Sequence, residues 1–436
     1  MTRTRLPVVG KASLIPFVLI TSLFALWGFA NAVTDPMVAA FKKVLELNNV
    51  QASMVQMAFY GGYFTMALPA SIFIRKYSYK AGILLGLGLY AVGALLFYPA
   101  ALFEEFTYFL IGLYILTFGL AFLETTANPY ILSLGDPATA TRRLNLAQAF
   151  NPLGLLLGLL VAQNFVLRKL QSDDINFSEL SASAKSAITT ADLLVIRDPY
   201  VVLGLVVLMM LVLIAVVHMP ERKDKDLNTS SWLLIRDLVL HQPVYSRGVL
   251  AQAFYVGAQI MCWTYIYQYA ESLGLSATTA GNYQFIAFII FFLGRFICTF
   301  LLKYINSSKL LMVLSFLAVL MTLGTMFLPG LAGLYSLVGI SFSMSLMFPT
   351  IYGIALNGLS EDESKIGAAG LVMGMVGGAL MPALQGLVLD IGGPGYTDVQ
   401  ILGISEVRLS FMVPLVCFLM VALYGKMTLN SESATG

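Results

Sequence analysis

The sequence predicts an all-α membrane protein: twelve transmembrane helices in two six-helix halves, with both termini in the cytoplasm. Three observations predict it. Of 436 residues only 11% are charged and 58% are hydrophobic, whereas a soluble domain carries roughly 25% charged residues. The charges gather in short segments and leave long charge-free windows between them. The most polar stretch, 219–247, divides the spans those windows hold six and six. Such a chain has too few charges to cover a water-facing surface, which excludes a soluble enzyme, a nucleic-acid binder and a disordered scaffold. The formal net charge of +2 points to no acidic partner.

The windows are 12–34, 47–74, 81–103, 106–123, 144–167, 199–217, 248–270, 272–294, 310–360, 366–389 and 409–425. Each reaches about the 17–25 residues that cross a bilayer as helix. The 310–360 window holds two spans, turned at Pro329-Gly330-Leu331-Ala332-Gly333. Alternation over ~10-residue segments, the mark of a membrane β-barrel, is not visible. With the N-terminus inside, seventeen Lys and Arg fall in cytoplasmic segments and seven on the opposite side. This positive-inside bias places both termini in the cytoplasm. The first apolar stretch is too long for a signal peptide and lacks a cleavage site, so it reads as span 1.

Residues 1–218 form the N-terminal half, 219–247 a charged cytoplasmic linker and 248–436 the C-terminal half. That is the layout of two transporter halves related by a parallel repeat. Internal similarity is weak but present. Arg75-Lys76-Tyr77-Ser78-Tyr79-Lys80 follows span 2, and Lys303-Tyr304-Ile305-Asn306-Ser307-Ser308-Lys309 follows span 8. Span 4 carries Asn128-Pro129-Tyr130-Ile131 and span 10 carries Phe348-Pro349-Thr350-Ile351. The polar stretch from Leu170 to Asp198 reads as a solvated connector holding a short helix over Ser181–Ala191. Cys262, Cys298 and Cys417 lie in spans, and the two histidines, His218 and His241, lie near the linker. Neither a metal nor a cofactor is expected from this material.

Polar groups inside spans are expensive and mark function. In span 1, Trp27, Asn31 and Asp35 share a helix face at i, i+4, i+8. Pro36 leaves the Ala32 carbonyl without its helical donor. Asp35 reads either as a solvated acid near the outer interface or as a cavity carboxylate that takes a proton or a sugar hydroxyl. Glu124 in span 4 has no Lys or Arg within seventeen residues. An ionised carboxylate at mid-bilayer costs about 2.5–3.5 kcal/mol, so the protonated form is favoured there. Glu124 is thus a candidate proton carrier, or a structural carboxyl bonded to a neighbouring helix. Asn128 lies one turn on, and Pro129 frees the Thr125 carbonyl. In span 5, Asn145, Gln148 and Asn151 fall at i, i+3, i+6, offering paired donors and acceptors for hydroxyls or for other helices. In span 7, Tyr255, Gln259 and Trp263 form a stripe suited to the apolar face of a sugar ring. Arg295 in span 8 reads as structural, near the cytoplasmic end and paired with an acid such as Glu361 or Asp362.

These residues carry a family resemblance. The strings are Phe24-Ala25-Leu26-Trp27-Gly28-Phe29-Ala30-Asn31 leading to Asp35, Phe59-Tyr60-Gly61-Gly62-Tyr63-Phe64, and Tyr77-Ser78-Tyr79-Lys80-Ala81-Gly82. They continue with Leu123-Glu124-Thr125-Thr126-Ala127-Asn128-Pro129, Arg143-Leu144-Asn145-Leu146-Ala147-Gln148-Ala149-Phe150-Asn151, and Tyr255-Val256-Gly257-Ala258-Gln259 with Cys262-Trp263. Over nearly its whole length the chain resembles the major facilitator superfamily, and within it the fucose–proton symporter family. The resemblance implies a cavity between the halves that opens to alternate sides. It implies that Glu124 is the main protonation site, that Asp35 ties sugar to proton, and that Asn151 lies near the glutamate. Two positions depart from the fucose transporter: Ala32 replaces a second asparagine, and Phe348 replaces a tyrosine. Phe-Pro-Thr at 348–350 resembles the family's glucose/galactose branch.

The expected function is proton-coupled import of a monosaccharide across a bacterial inner membrane, by a protein that works as a monomer. L-Fucose comes first, with glucose/galactose or N-acetylglucosamine as alternatives. Asp35 and Glu124 serve proton coupling; Trp27, Asn31, Asp35, Gln148, Asn151, Tyr255, Gln259 and Trp263 form the sugar site. The partners are the sugar, the proton and the lipid bilayer. A proton-independent facilitator, a sugar sensor and an intramembrane enzyme using the two carboxylates are rival readings. Against the last, the sequence shows no nucleophile elbow, metal triad or large catalytic loop.

Overall fold

A computed structural model describes residues 7–45, 49–166, 169–170, 181–220, 230–389, 400–401 and 403–435; within these, the side chains at 12, 34–43, 49–57, 163, 277–278, 401 and 431–435 are not described. The helices are α1 (Leu14–Val44), α2 (Asn49–Lys76), α3 (Tyr79–Leu95), α4 (Phe97–Phe103), α5 (Phe106–Ser133), α6 (Ala140–Gln148) and α7 (Asn151–Val161). After these come α8 (Ala182–Val216), α9 (Ser231–His241), α10 (Pro243–Thr264), α11 (Ile266–Ser272), α12 (Ala277–Leu301) and α13 (Ser307–Phe327). The last are α14 (Leu331–Met344), α15 (Met347–Ala355), α16 (Glu361–Met373), α17 (Gly377–Leu389), α18 (Glu406–Leu409) and α19 (Met412–Thr435). A two-residue hairpin, β1 (Gln400–Ile401) against β2 (Ile404–Ser405), precedes α18.

Eleven stretches among the described residues are long and apolar enough to cross a bilayer. The twelfth expected span coincides with α2, a helix of 28 residues whose first residues have no described side chains. The expected turn at Pro329-Gly330 is present: α13 ends at Phe327, Gly330 adopts φ 57°, and α14 begins at Leu331. The short helix expected over Ser181–Ala191 is not a separate element. Ser181 caps Ala184, and the helix then runs unbroken through Pro199 to Val216 as α8.

Lipid, not water, explains the helix surfaces. On α8, Leu203, Val207, Met210 and Ile214 are buried at helical spacing, whereas Leu205, Met209, Val212 and Val216 are 56–77% exposed. An apolar stripe of that kind on both faces suits a membrane helix. Side-chain caps set the entries: Ser78 for α3, Ser276 for α12, Asn306 for α13, and a Ser360–Glu363 capping box for α16.

The chain packs into two compact units. The first comprises residues 11–130 and 150–225. In it α1 packs along α7, and α8 packs on α3 and α4. Glycines make the α1–α7 contact close: a Cβ at Gly28 would overlap the Asn151 carbonyl, and one at Gly154 the Ala25 carbonyl. The second unit comprises residues 1–10, 131–149 and 226–436. There α10 packs against α15, α17 and α19, α13 lies on α14 and α19, and α6 packs on α15. Arg143 fastens the start of this unit. Its guanidinium donates to the carbonyls of Ile131 (2.7 Å) and Leu132 (2.5 Å) at the end of α5, and to Val8 (3.1 Å).

Candidate functional site

In the first unit the candidate residues stand on α1, α2, α5 and α7. Trp27 is buried against Phe24, ring centroids 4.7 Å apart, and its indole Nε1 has no hydrogen-bond partner among the described residues. Asn31, one turn on along the same face, has a buried Oδ1 in the same condition. The side chain of Asp35 lies outside the described residues. Asn151 opens α7 and donates from Nδ2 to the Phe24 carbonyl at 3.2 Å. It therefore ties the start of α7 to α1 one turn before the tryptophan.

Glu124 sits within α5 with a buried Oε2 that has no partner. Asn128 donates to the main-chain oxygen of Glu124 at 3.0 Å. Pro129 lacks the N–H that the Thr125 carbonyl would accept, and the buried Thr125 Oγ1 is also unpaired. Tyr63 of α2 is fully buried, its hydroxyl lacks a partner, and its phenol lies within electrostatic reach of Glu124. Tyr90 of α3 donates to the Leu26 carbonyl at 3.4 Å.

Native interiors leave few polar atoms unsatisfied. Here an indole donor, an amide acceptor, a phenol and a carboxyl oxygen remain unspent within one membrane-embedded unit. That set suits a neutral solute rich in hydroxyls, with the carboxyl able to hold a proton.

In the second unit the aromatic stripe of α10 is engaged. Tyr255 donates to the Met344 carbonyl at 3.0 Å, and Trp263 Nε1 donates to Ser341 Oγ at 3.2 Å. Phe288 and Phe291 meet the Trp263 ring edge-on at 4.8 and 5.0 Å. These contacts tie α10 to α14 and engage the polar atoms of both rings. Gln259, between them, is half-buried and has no hydrogen-bond partner among the described residues. Phe348 lies 6.3 Å from the Tyr255 ring and brings no hydroxyl.

The three amides of span 5 do not share one helix face. Pro152 cannot donate to the Gln148 carbonyl, and the helix breaks after Gln148 before resuming at Asn151. Asn145 reaches Thr350 Oγ1 at 3.1 Å, Gln148 accepts from Arg295 Nη1 at 3.5 Å, and Asn151 turns to α1. Arg295 also departs from expectation. Glu361 and Asp362 face Lys365 instead, at 3.0 and 4.0 Å, as first-turn acids do at i+4 and i+3. Arg295 is 3% exposed, with its guanidinium 5.0 Å over the Phe291 ring.

Tyr63, within electrostatic reach of Glu124, was not singled out from the sequence. A hydroxyl beside Gly61-Gly62 in a span was the available signal for Tyr63. Among the described residues no His, Cys, Asp and Glu cluster could hold a metal, and the three cysteines are free and buried.

A helical membrane unit that holds unspent polar groups and a buried carboxyl oxygen fits the class of membrane carriers. The Major Facilitator Superfamily model matches residues 17–384. The L-fucose-proton symporter of Haemophilus influenzae is 54% identical over 96% of this chain and 97% of its own. A glucose/galactose transporter of Brucella abortus is 31% identical over 93% and 92%. The crystal structure of the Escherichia coli fucose:proton symporter superposes with a TM-score of 0.85 at 33% identity, covering 96% of this chain and 99% of that one. The chain belongs to the Major Facilitator Superfamily and, within it, to the family of the fucose–proton symporters.

Proposed function

We propose that this protein imports a monosaccharide together with a proton by alternating access, with L-fucose the first candidate. The observation that carries the reading is the Glu124 carboxyl, enclosed in a membrane helix with an unpaired oxygen and no ion pair among the described residues. Protonated, it is neutral, and the loaded carrier reorients without carrying a bare charge through lipid. On the far side water re-enters, the proton leaves, and the sugar follows. Each charge moved across 100 mV supplies about 2.3 kcal/mol, enough to concentrate a neutral sugar roughly fifty-fold.

Trp27, Trp263 and Tyr255 offer ring faces to the sugar. Asn31, Gln148, Asn151 and Gln259 read hydroxyls, and Asp35 couples the bound sugar to the proton. On this reading residues 1–218 and 248–436 are the two moving halves, joined by the cytoplasmic linker 219–247. Both termini face the cytoplasm of a bacterial inner membrane, as the positive-inside bias favours, and one chain suffices. The 54% identity to an L-fucose-proton symporter favours L-fucose. The missing hydroxyl at Phe348 keeps glucose or galactose second.

Uptake of labelled L-fucose, D-glucose, D-galactose and N-acetylglucosamine into proteoliposomes, with and without an inward proton gradient, tests this. Gradient-driven accumulation of one sugar is expected. Equilibration without accumulation would make the protein a facilitator, and uptake of none would overturn the substrate class.

A further inference from the structure

The first unit carries a groove that the transport site does not use. It has a volume of about 520 Å³ and lies between α1, the end of span 5 and α8. Leu26 and Phe29 of α1, Val161 and Phe165 at the end of span 5, and Val202 and Val206 of α8 line it. Asp198 lies toward the Val195 end of the α8 lining, and Lys169 also lines the groove. From Val195 to Val206 the groove follows α8 for about 16 Å. The hydrocarbon of one leaflet is about 15 Å deep, half of a core of about 30 Å. An apolar shaft of leaflet depth with charge at one end has the form of an amphiphile.

Among the described residues the charges there are not balanced. Asp198 is held by Arg197 at 2.7 Å, and Arg197 stacks over the Tyr98 ring at 4.9 Å. Lys169 lies 5.7 Å over the Phe165 ring and pairs with no carboxylate among the described residues. Lys169, Arg197 and Asp198 together leave one positive charge, complementary to one phosphodiester. The lining residues Phe165 and Val202 are each 60% exposed, so the groove opens toward the surface that lipid wets.

We propose that this groove is a binding site for a single glycerophospholipid, with one acyl chain between α1 and α8 and the headgroup phosphate on Lys169. The chain seats on Leu26 and Phe29, the residues that flank Trp27 on α1. A bound lipid therefore braces the helix that presents the tryptophan.

Native mass spectrometry of the full-length protein in detergent, titrated with dioleoylphosphatidylglycerol, tests the assignment. The wild type is expected to show one saturable lipid adduct above the weaker series of annular lipids. Val202→Trp, which fills the groove from an exposed position, is expected to lose that adduct with an unchanged melting temperature. Lys169→Ala is expected to weaken it about ten-fold, and Lys169→Arg to restore it. Lys309→Ala, remote in sequence from every lining residue, is expected to bind as the wild type does. Equal binding by Val202→Trp, Lys169→Ala and the wild type would overturn the site. Displacement by an equal concentration of oleate would overturn the phosphate assignment.

Discussion

Asn145 on α6 donates from its amide to Thr350 Oγ1 on α15 at 3.1 Å, in a fully buried setting, across 205 residues of sequence. The bond joins a residue that precedes the polar linker to one that follows it, inside one compact unit. Gly353 supports the contact: a Cβ there would press on the Thr141 side chain at 2.7 Å. If the halves alternate, this bond must break in every cycle.

Asn145→Ala removes that bond. One neutral hydrogen bond contributes about 1 kcal/mol net, so the population opened between α6 and α15 rises about five-fold. Thiol labelling of a cysteine placed at Thr141 reads the opening, because the native Cys262, Cys298 and Cys417 are buried. Unchanged labelling would show that the bond does not hold the structure closed.

Tyr63→Phe separates a binding role from a folding role. The Tyr63 hydroxyl has no partner among the described residues, so its removal is expected to leave the melting temperature unchanged. Loss of a hydroxyl that meets sugar or steadies the protonated Glu124 raises KM for uptake about three- to ten-fold. A lower melting temperature with an unaltered KM would make Tyr63 a packing residue.

Gly154→Ala places a methyl against the Ala25 carbonyl where α7 meets α1. Overpacking of this kind costs about 1–3 kcal/mol, and the melting temperature falls accordingly. Gly61→Ala meets nothing within 4 Å and is expected to leave stability intact. Equal melting temperatures for the two variants would contradict the close α1–α7 packing.

The fold was legible because lipid imposes a plain rule. Charge-free windows of spanning length became helices, and Pro329-Gly330 parted α13 from α14 as expected. Glu124 was legible for the same reason, since a carboxyl far from any cation is conspicuous in an apolar helix. What periodicity could not supply was the place where a helix stops. Asn145, Gln148 and Asn151 share a face only if the helix continues, and Pro152 interrupts it. The stripe on α10 had the right spacing, yet spacing cannot say that Ser341 and the Met344 carbonyl take the polar atoms of Trp263 and Tyr255. Arg295 was misread because its partner, Gln148, lies 147 residues away, whereas Glu361 and Asp362 have a lysine one turn on.

The central claim is that the Glu124 carboxyl carries the proton. Sugar counterflow and gradient-driven accumulation, measured side by side in proteoliposomes for the wild type and Glu124→Gln, test it most directly. Gln keeps the shape but cannot release a proton. The account predicts that Glu124→Gln retains counterflow exchange at a rate independent of pH and loses accumulation entirely. Full gradient-driven accumulation by Glu124→Gln would contradict it and place the proton on another residue.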